Sequence, residues 1–207
     1  YTMDDIIQEQ TPEVEIVNIV ASGEIDIELD LANVAEDLSE LHWIEEAEHS
    51  RSQKRGNRLL VHFPEGDTLG ILTSSGTYIF TGVDSYQELE YSKKQLLSAL
   101  AELDIISGSE LVPREVINPF KIRNVVCTAE FHINDTFDLN RLAIGLGFER
   151  TEYEPEQFPG LVYRPNDSSC TLLVFASTKV VITGINKKEV AEAELAKFRQ
   201  ELISITN

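Results

Sequence analysis

The chain has 207 residues and a formal net charge of −19, from 36 acidic and 17 basic side chains, a length that gives two units of about a hundred residues each a core of its own. It contains no apolar run long enough to span a bilayer, and its start, Tyr1-Thr2-Met3-Asp4-Asp5, has neither a basic n-region nor an apolar h-region, which points away from membrane and secretion and towards the cytoplasm. Two cysteines, Cys127 and Cys170, lack metal spacing and read as small buried residues of a reducing compartment.

In chain order, residues 14–23 are β-branched and apolar, a strand signal. Leu29-Asp30-Leu31-Ala32-Asn33-Val34-Ala35 begins a short helix. Three short strands follow near 58–63, 68–73 and 77–82, with Gly66-Asp67 as the first turn. Leu89, Leu96, Leu100 and Leu103 mark a long amphipathic helix. Residues 105–119, with Gly108, Pro113 and Pro119, form a connector, and then the order starts again. A strand over Ile122-Arg123-Asn124-Val125-Val126 precedes a helix at Phe137-Asp138-Leu139-Asn140-Arg141-Leu142-Ala143-Ile144. Strands follow near 160–164, 170–175 and 178–183, with Asn166-Asp167 as a turn. Ala191, Leu195, Phe198, Leu202 and Ile205 make one clean helical stripe.

The second pass echoes the first in residues as well as in order. Ile16-Val17-Asn18-Ile19-Val20 answers to Ile122-Arg123-Asn124-Val125-Val126, with the asparagines 106 apart. Thr81-Gly82 answers to Thr183-Gly184, 102 apart, so the first copy holds four extra residues between positions 18 and 81. A period this long is a duplicated domain rather than a solenoid repeat, with copies over residues 1–112 and 113–207. The expected class is α+β, a duplicated strand–helix–strands–helix unit with helices on one sheet face. A pseudo-two-fold body suits a two-fold target, and duplex DNA is one.

Charge cuts against that partner, because phosphate contacts need Lys and Arg. The acid is uneven: residues 14–104 hold 6 basic and 18 acidic side chains, residues 119–207 hold 10 and 12. An acidic surface suits a cytoplasm at molar salt, where repulsion is screened over about 3 Å, and a halophilic archaeon is its natural setting. The second half is the better equipped to face phosphate.

The strands are apolar at too many positions for one core. Val126, Phe158, Val162, Phe175 and Val181 would sit partly on the uncovered sheet face, which is either an interface or a second hidden layer of core. Other chemistry is sparse. No P-loop, zinc-finger, HExxH or CxxC pattern occurs, Gly145-Leu146-Gly147 is a lone Gly-x-Gly, and no cofactor or catalytic group is indicated. His42, Glu45, Glu46 and His49 would share one face if helical, a weak metal candidate against the commoner reading of a solvated helix edge.

Glu152-Tyr153-Glu154-Pro155-Glu156-Gln157-Phe158-Pro159-Gly160-Leu161-Val162-Tyr163-Arg164 closely resembles the second stirrup and following strand of the TATA-binding protein family. Leu172-Leu173-Val174-Phe175-Ala176-Ser177 and Lys179-Val180-Val181-Ile182-Thr183-Gly184 continue the resemblance in order, which covers about residues 14–206. It implies a pseudo-two-fold saddle with a curved antiparallel sheet, helices on the convex face, and a concave face riding the DNA minor groove. That family kinks DNA by inserting apolar wedges between base steps. Carried over, Phe158 and Phe175 resemble one wedge pair, and Asn18 and Asn124 the central pair reading minor-groove acceptors. Thr81 and Thr183 resemble their neighbours, and Val20, Ile79, Val126 and Val181 the apolar floor that fits A·T steps. Arg164 and Lys179 resemble phosphate clamps. Glu154 and Glu156 resemble the docking edge for transcription factor B, with RNA polymerase an indirect partner.

The first copy departs from this pattern. Counted back from Thr81-Gly82 without gaps, its wedge positions fall on Gly56 and Thr73, and its cation positions on His62 and Thr77. Its stirrup reads Arg51-Ser52-Gln53-Lys54-Arg55-Gly56. A shifted alignment would bring Phe63 or Phe80 nearby, although alternation puts Phe80 on the face opposite Thr81. Lys54, Arg55 and Arg58 are either a phosphate contact or a solvated loop, the latter being commoner.

Three function classes remain: a general initiation factor binding A·T-rich promoter DNA, possessing a weakened first half and acting with the nucleoid of an archaeal cytoplasm; a divergent paralogue acting through protein partners as regulator or decoy; and a metal-dependent protein using the His42 region. The first is the expected function, and it is not enzymatic.

Overall fold

The computed structural model describes residues 11–52, 56–64, 66–106, 119–133 and 136–206. The connector's Gly108 and Pro113, the first residues of the chain, and Gln53, Lys54 and Arg55 lie outside them. The chain divides into two compact units, Asn18–Arg123 and the remainder. Among the described residues no helix is long and apolar enough to cross a membrane.

The first unit follows the order β1 (Glu15–Glu24, in this unit from Asn18), α1 (Leu31–Ser39), β2 (Glu46–Ser52), β3 (Gly56–His62), β4 (Leu69–Thr73), β5 (Thr77–Val83) and α2 (Tyr86–Glu102). Its strands form an antiparallel sheet in the order β2-β3-β4-β5-β1. The second unit repeats the plan with β6 (Lys121–Glu130), α3 (Leu139–Leu146), β7 (Thr151–Glu152), β8 (Leu161–Tyr163), β9 (Thr171–Val174), β10 (Lys179–Ile185) and α4 (Lys188–Thr206). Its sheet order is β6-β10-β9-β8-β7, again antiparallel. The class is α+β, as the duplicated pattern implies.

Both short helices start two residues later than their apolar pattern suggests. Asp30 is the N-cap of α1, its Oδ1 accepting from the Ala32 and Asn33 amides at 3.1 and 3.4 Å, and Asp138 caps α3 through the Arg141 amide at 3.1 Å. Leu29 and Phe137, just before these caps, are buried, as are Val34 and Leu142 at the fourth helical positions. These are the positions of a hydrophobic staple, so the leading apolar residue belongs to the entry turn and not to the helix.

Alternation along the strands sorts the core. Leu59, Val61, Leu72, Tyr78 and Phe80 are buried in the first unit, and Leu161, Tyr163, Leu172, Val174, Val180 and Ile182 in the second. Leu89, Leu96 and Leu100 of α2, and Ala191, Leu195, Phe198 and Leu202 of α4, are buried, while Leu103 and Ile205 are partly covered. Gly145 on α3 lets α4 approach: a Cβ there would lie 2.7 Å from the Ile205 side chain.

Each copy holds one strand more than expected. β7 is two residues long, and β2 is a full strand spelled Glu46-Ala47-Glu48-His49-Ser50-Arg51-Ser52. A charged strand at a sheet edge needs no apolar signature, and its charges discourage further pairing, which is why periodicity missed it. The expected helical face of His42, Glu45, Glu46 and His49 therefore does not form. His42 and Glu45 precede the strand, and Glu46 and His49, three apart on β2, point to opposite faces. No metal-holding group of these residue types occurs among the described residues.

The ladders settle how the copies align. Leu60 pairs with Ile71 and Ile71 with Ile79; Val162 pairs with Leu173 and Leu173 with Val181, every position offset by 102. The caps Asp30 and Asp138 are offset by 108, so the first copy gains six residues between α1 and β3, around its longer β2. The second copy regains two before its helix, since Ile19 and Val125 are offset by 106.

One part-buried polar network belongs to the second unit alone among these equivalent positions. The buried Tyr163 hydroxyl donates to Glu201 at 2.5 Å, and the Arg150 guanidinium meets Tyr163 Oη at 3.1 Å, Glu201 Oε2 at 3.0 Å and the Leu146 carbonyl at 2.8 Å. Burial and the bond to Glu201 push the Tyr163 phenol up. At the offset of 102 the first copy has Val61 and Ala99 instead. Glu201→Ala strands two donors and should cost about 2 kcal/mol, whereas Tyr163→Phe removes one donor and should cost about 1 kcal/mol. Urea unfolding of both variants checks that order.

Candidate nucleic-acid interface

The strand residues between the buried ones stand on the other sheet face and are neither buried nor fully exposed. In the second unit these are Asn124, Val126, Val162, Leu173, Val181 and Thr183, joined by Phe158 and Phe175 just beyond the strands. In the first they are Asn18, Val20, Leu60, Ile71, Ile79 and Thr81. The central and floor positions singled out from the sequence all fall on this half-open apolar face.

Where β1 meets β5, and where β6 meets β10, each unit repeats one device. Between Ile19↔Val83 and Ala21↔Phe80 the β1–β5 register slips, and it slips likewise between Ile182 and Ile185 where β10 meets β6. The extra residues are Thr81-Gly82 and Thr183-Gly184. Both glycines are left-handed, with φ of 79° and 78°, and a Cβ on them would lie 2.2 Å from the Asp67 carbonyl oxygen or 2.7 Å from that of Ser169. Each bulge turns its glycine N–H onto the neighbouring asparagine. Gly82 N donates to Asn18 Oδ1 at 2.8 Å, and Gly184 N to Asn124 Oδ1 at 3.0 Å. Thr81 Oγ1 also lies 3.5 Å from Asn18 Oδ1, and Asn124 Nδ2 donates to Thr183 Oγ1 at 3.2 Å. A backbone N–H can be met by the amide oxygen and not by the amide nitrogen, so the side-chain orientation is dictated. The oxygen is spent on the glycine, and the NH2 group is left to donate; that of Asn124 gives one hydrogen to Thr183 and keeps the other for the open face.

At the outer end of the second unit Phe158 and Phe175 pack edge to face, ring centroids 5.7 Å apart. Phe158 closes a turn by donating its amide to the Glu154 carbonyl at 2.9 Å, and Phe175 opens the β9–β10 turn by donating to the Lys179 carbonyl at 2.9 Å. Gly160 lies under both rings: a Cβ there would be 2.7 Å from Phe158 Cε1 and 3.1 Å from Phe175 Cε1.

The first unit has no such pair at the matching positions. Gly56 has a φ of 72° and open space around it. Thr73 is occupied by its turn, its hydroxyl accepting from the Thr77 amide at 3.2 Å and meeting Ser75 Oγ at 2.9 Å. Phe63 and Phe80 are buried, 6.2 Å apart, on the helix side, so neither serves as a displaced wedge. Arg58, partly buried, faces Thr73 across the β3–β4 ladder.

Of the clamp positions, Lys179 is exposed and Arg164 is paired with Glu152 at 3.4 Å, both side chains more than half exposed. An exposed pair contributes at most about 1 kcal/mol and yields readily to a stronger anion. His62 sits where Arg164 sits, opposite Glu46 on the edge strand. Glu154 and Glu156 are exposed in the loop between β7 and β8, with Gln157 donating to Glu154. The sequence reading gave Gly160 and Glu152 no role and left Arg58 as a phosphate contact or a solvated loop residue; Phe158-Pro159-Gly160 was the visible signal.

The family profile described as Transcription factor TFIID (or TATA-binding protein, TBP) matches residues 13–103 and 119–205. The chain is 42% identical over 193 residues to TATA-box-binding protein C of Halobacterium salinarum, covering 92% of this chain and 99% of that one. It is 38% identical over 189 residues to the TATA-box-binding protein of Methanocaldococcus jannaschii, covering 90% and 92%. Among solved structures it is similar to Methanococcus jannaschii TBP, with a TM-score of 0.71 at 32% identity, covering 94% of this chain and 99% of that one. These relatives come from archaea, halophiles among them, and the family is one of DNA-binding transcription factors rather than enzymes. The chain belongs to the TATA-binding protein family.

Proposed function

We propose that this chain is a general transcription initiation factor whose two copies, 1–112 and 113–207, lay their open sheet faces in the minor groove of A·T-rich promoter DNA. The observation that carries this reading is the forced orientation of Asn18 and Asn124. In the minor groove A·T and T·A pairs present acceptors, A N3 and T O2, and a G·C pair adds the guanine amino donor. An outward NH2 group flanked by Val20, Ile79, Val126 and Val181 fits the first pattern and leaves the guanine donor unmet against apolar groups. Phe158 and Phe175 enter a base step at one end, while Arg164, released from Glu152, and Lys179 hold phosphates. Glu154 and Glu156 dock transcription factor B, and RNA polymerase follows through that factor. The protein works in the archaeal cytoplasm on nucleoid DNA, in molar salt.

A second reading, a paralogue acting through protein partners, draws support from the first copy. Its edge strand presents Glu46 and Glu48 opposite His62 and Leu60, and its wedge and cation positions are empty of Phe, Lys and Arg. Promoter binding in molar potassium chloride, with and without transcription factor B, separates the readings.

Phe158→Ala and Phe175→Ala should each weaken DNA binding by about tenfold or more, because the wedge offsets an unstacking cost of a few kcal/mol per step. Their unfolding midpoints should stay near the parent's; unchanged affinity and bending in both would remove the wedge. Asn124→Asp, isosteric but without a donor, should lower affinity for A·T-rich sites by about tenfold and blunt discrimination against G·C, as titration with paired duplexes would show. Reversing Glu154 and Glu156 to Lys should abolish the ternary complex with transcription factor B while direct DNA binding persists. Recruitment by that variant at parental affinity would leave the docking assignment without support.

A further inference from the structure

The wedge pair depends on a residue with no side chain of its own. Gly160 does not need glycine for its backbone, since it is not among the left-handed positions of the chain. Space demands it: any Cβ would stand 2.7 Å from the Phe158 ring and 3.1 Å from the Phe175 ring, closer than carbon atoms pack. Gly160 is itself buried beneath rings that are still part-exposed. The ladder pairs Leu161 with Val174, so the next position outward sets Gly160 against Phe175. In the first unit the corresponding rung is Arg58 against Thr73.

We infer that Gly160 is the positioning residue that seats Phe158 and Phe175 as a wedge, and that Arg58 bars the first copy from seating one, so that the duplex is unstacked at one end only. This rests on the minor-groove reading above. Three features of the first copy act together. Thr73 gives no ring, Gly56 holds a left-handed backbone that disfavours any side chain, and part-buried Arg58 carries a long side chain at the position where Gly160 carries none. Restoring the two aromatic residues is therefore insufficient while Arg58 remains. At that end the open face offers a guanidinium, a group suited to a phosphate and not to a base step.

The test uses the full chain and promoter duplexes carrying 2-aminopurine at one terminal step or the other, in molar potassium chloride. Its fluorescence rises on unstacking, and fluorescence transfer between labelled ends reports bending. The parent should unstack one end. Gly160→Val should remove that signal and weaken binding by about tenfold or more, with Gly160→Ala intermediate and thermal midpoints within a few degrees of the parent's. In the free protein, Gly160→Val should also erase the ring-to-ring nuclear Overhauser contact between Phe158 and Phe175. At the other end, Gly56→Phe with Thr73→Phe should leave the step stacked, and adding Arg58→Gly should unstack it. Unstacking retained in Gly160→Val, or gained by the double variant with Arg58 in place, overturns the inference. If the parent unstacks neither end, the minor-groove reading fails instead. The ring contact in free Gly160→Val then decides the role of Gly160 alone, and its survival overturns that role.

Discussion

Strands that are apolar on both faces, with one layer of helices to cover them, are the constraint on which the rest depends. Burial of Leu59, Leu72, Phe80 and their counterparts against α2 and α4 supplies the folding free energy, at about 25 cal/mol per Å² of apolar surface removed from water. The alternate residues, Val20, Leu60, Ile71, Ile79 and Val126, Val162, Leu173, Val181, are left half-covered. A free protein keeps such a face at a cost in hydration, and the cost is recovered when a matching apolar or acceptor-lined surface covers it. Folding and the proposed binding thus draw on the two sides of the same strands.

Within that face the bulged strand pair and the ends obey different rules. The pairs β1–β5 and β6–β10 are alike in both copies because one backbone event, the Thr-Gly bulge, shapes them; the glycine N–H fixes the asparagine, and the threonine hydroxyl completes the contact. Little can vary there, since a Cβ on either glycine would strike a carbonyl oxygen. The ends are made of side chains near the strand tips and in the turns beside them, where a residue can change while the ladder is kept. There the copies part company: at the offset of 102, Phe158, Gly160, Phe175 and Arg164 correspond to Gly56, Arg58, Thr73 and His62.

The acidic surface and the weak ion pairs are consistent with one environment. At molar ionic strength screening acts over about 3 Å, so a net charge of −19 repels a duplex little beyond direct contact. The exposed Arg164–Glu152 pair is loosened under the same conditions, as the phosphate contact proposed for Arg164 requires. Part-buried pairs are less affected. Arg150 and Glu201, joined through the buried Tyr163, are screened less and tie α3, α4 and β8 together behind the end of the sheet that carries the two rings.

Much of this was legible in the residues. The repeated Ile-x-Asn-x-Val and Thr-Gly marks established the duplication, period-two and helical stripes set the element order, and the register count that placed Gly56 and Thr73 at the wedge positions agrees with the ladders. These signals are local, and each repeats what the backbone demands of one element at a time. The edge strand β2 was not legible, because a strand paired on one side only can be spelled in charges. The face of His42, Glu45, Glu46 and His49 presumed a helix that the edge ladder replaced. Nor could the sequence show that Oδ1 of each asparagine is consumed by a glycine about sixty residues away, or that Gly160 is bare because two rings stand over it. The first joins segments far apart in the chain and the second sets two rings over one backbone position, and only close packing in three dimensions decides either.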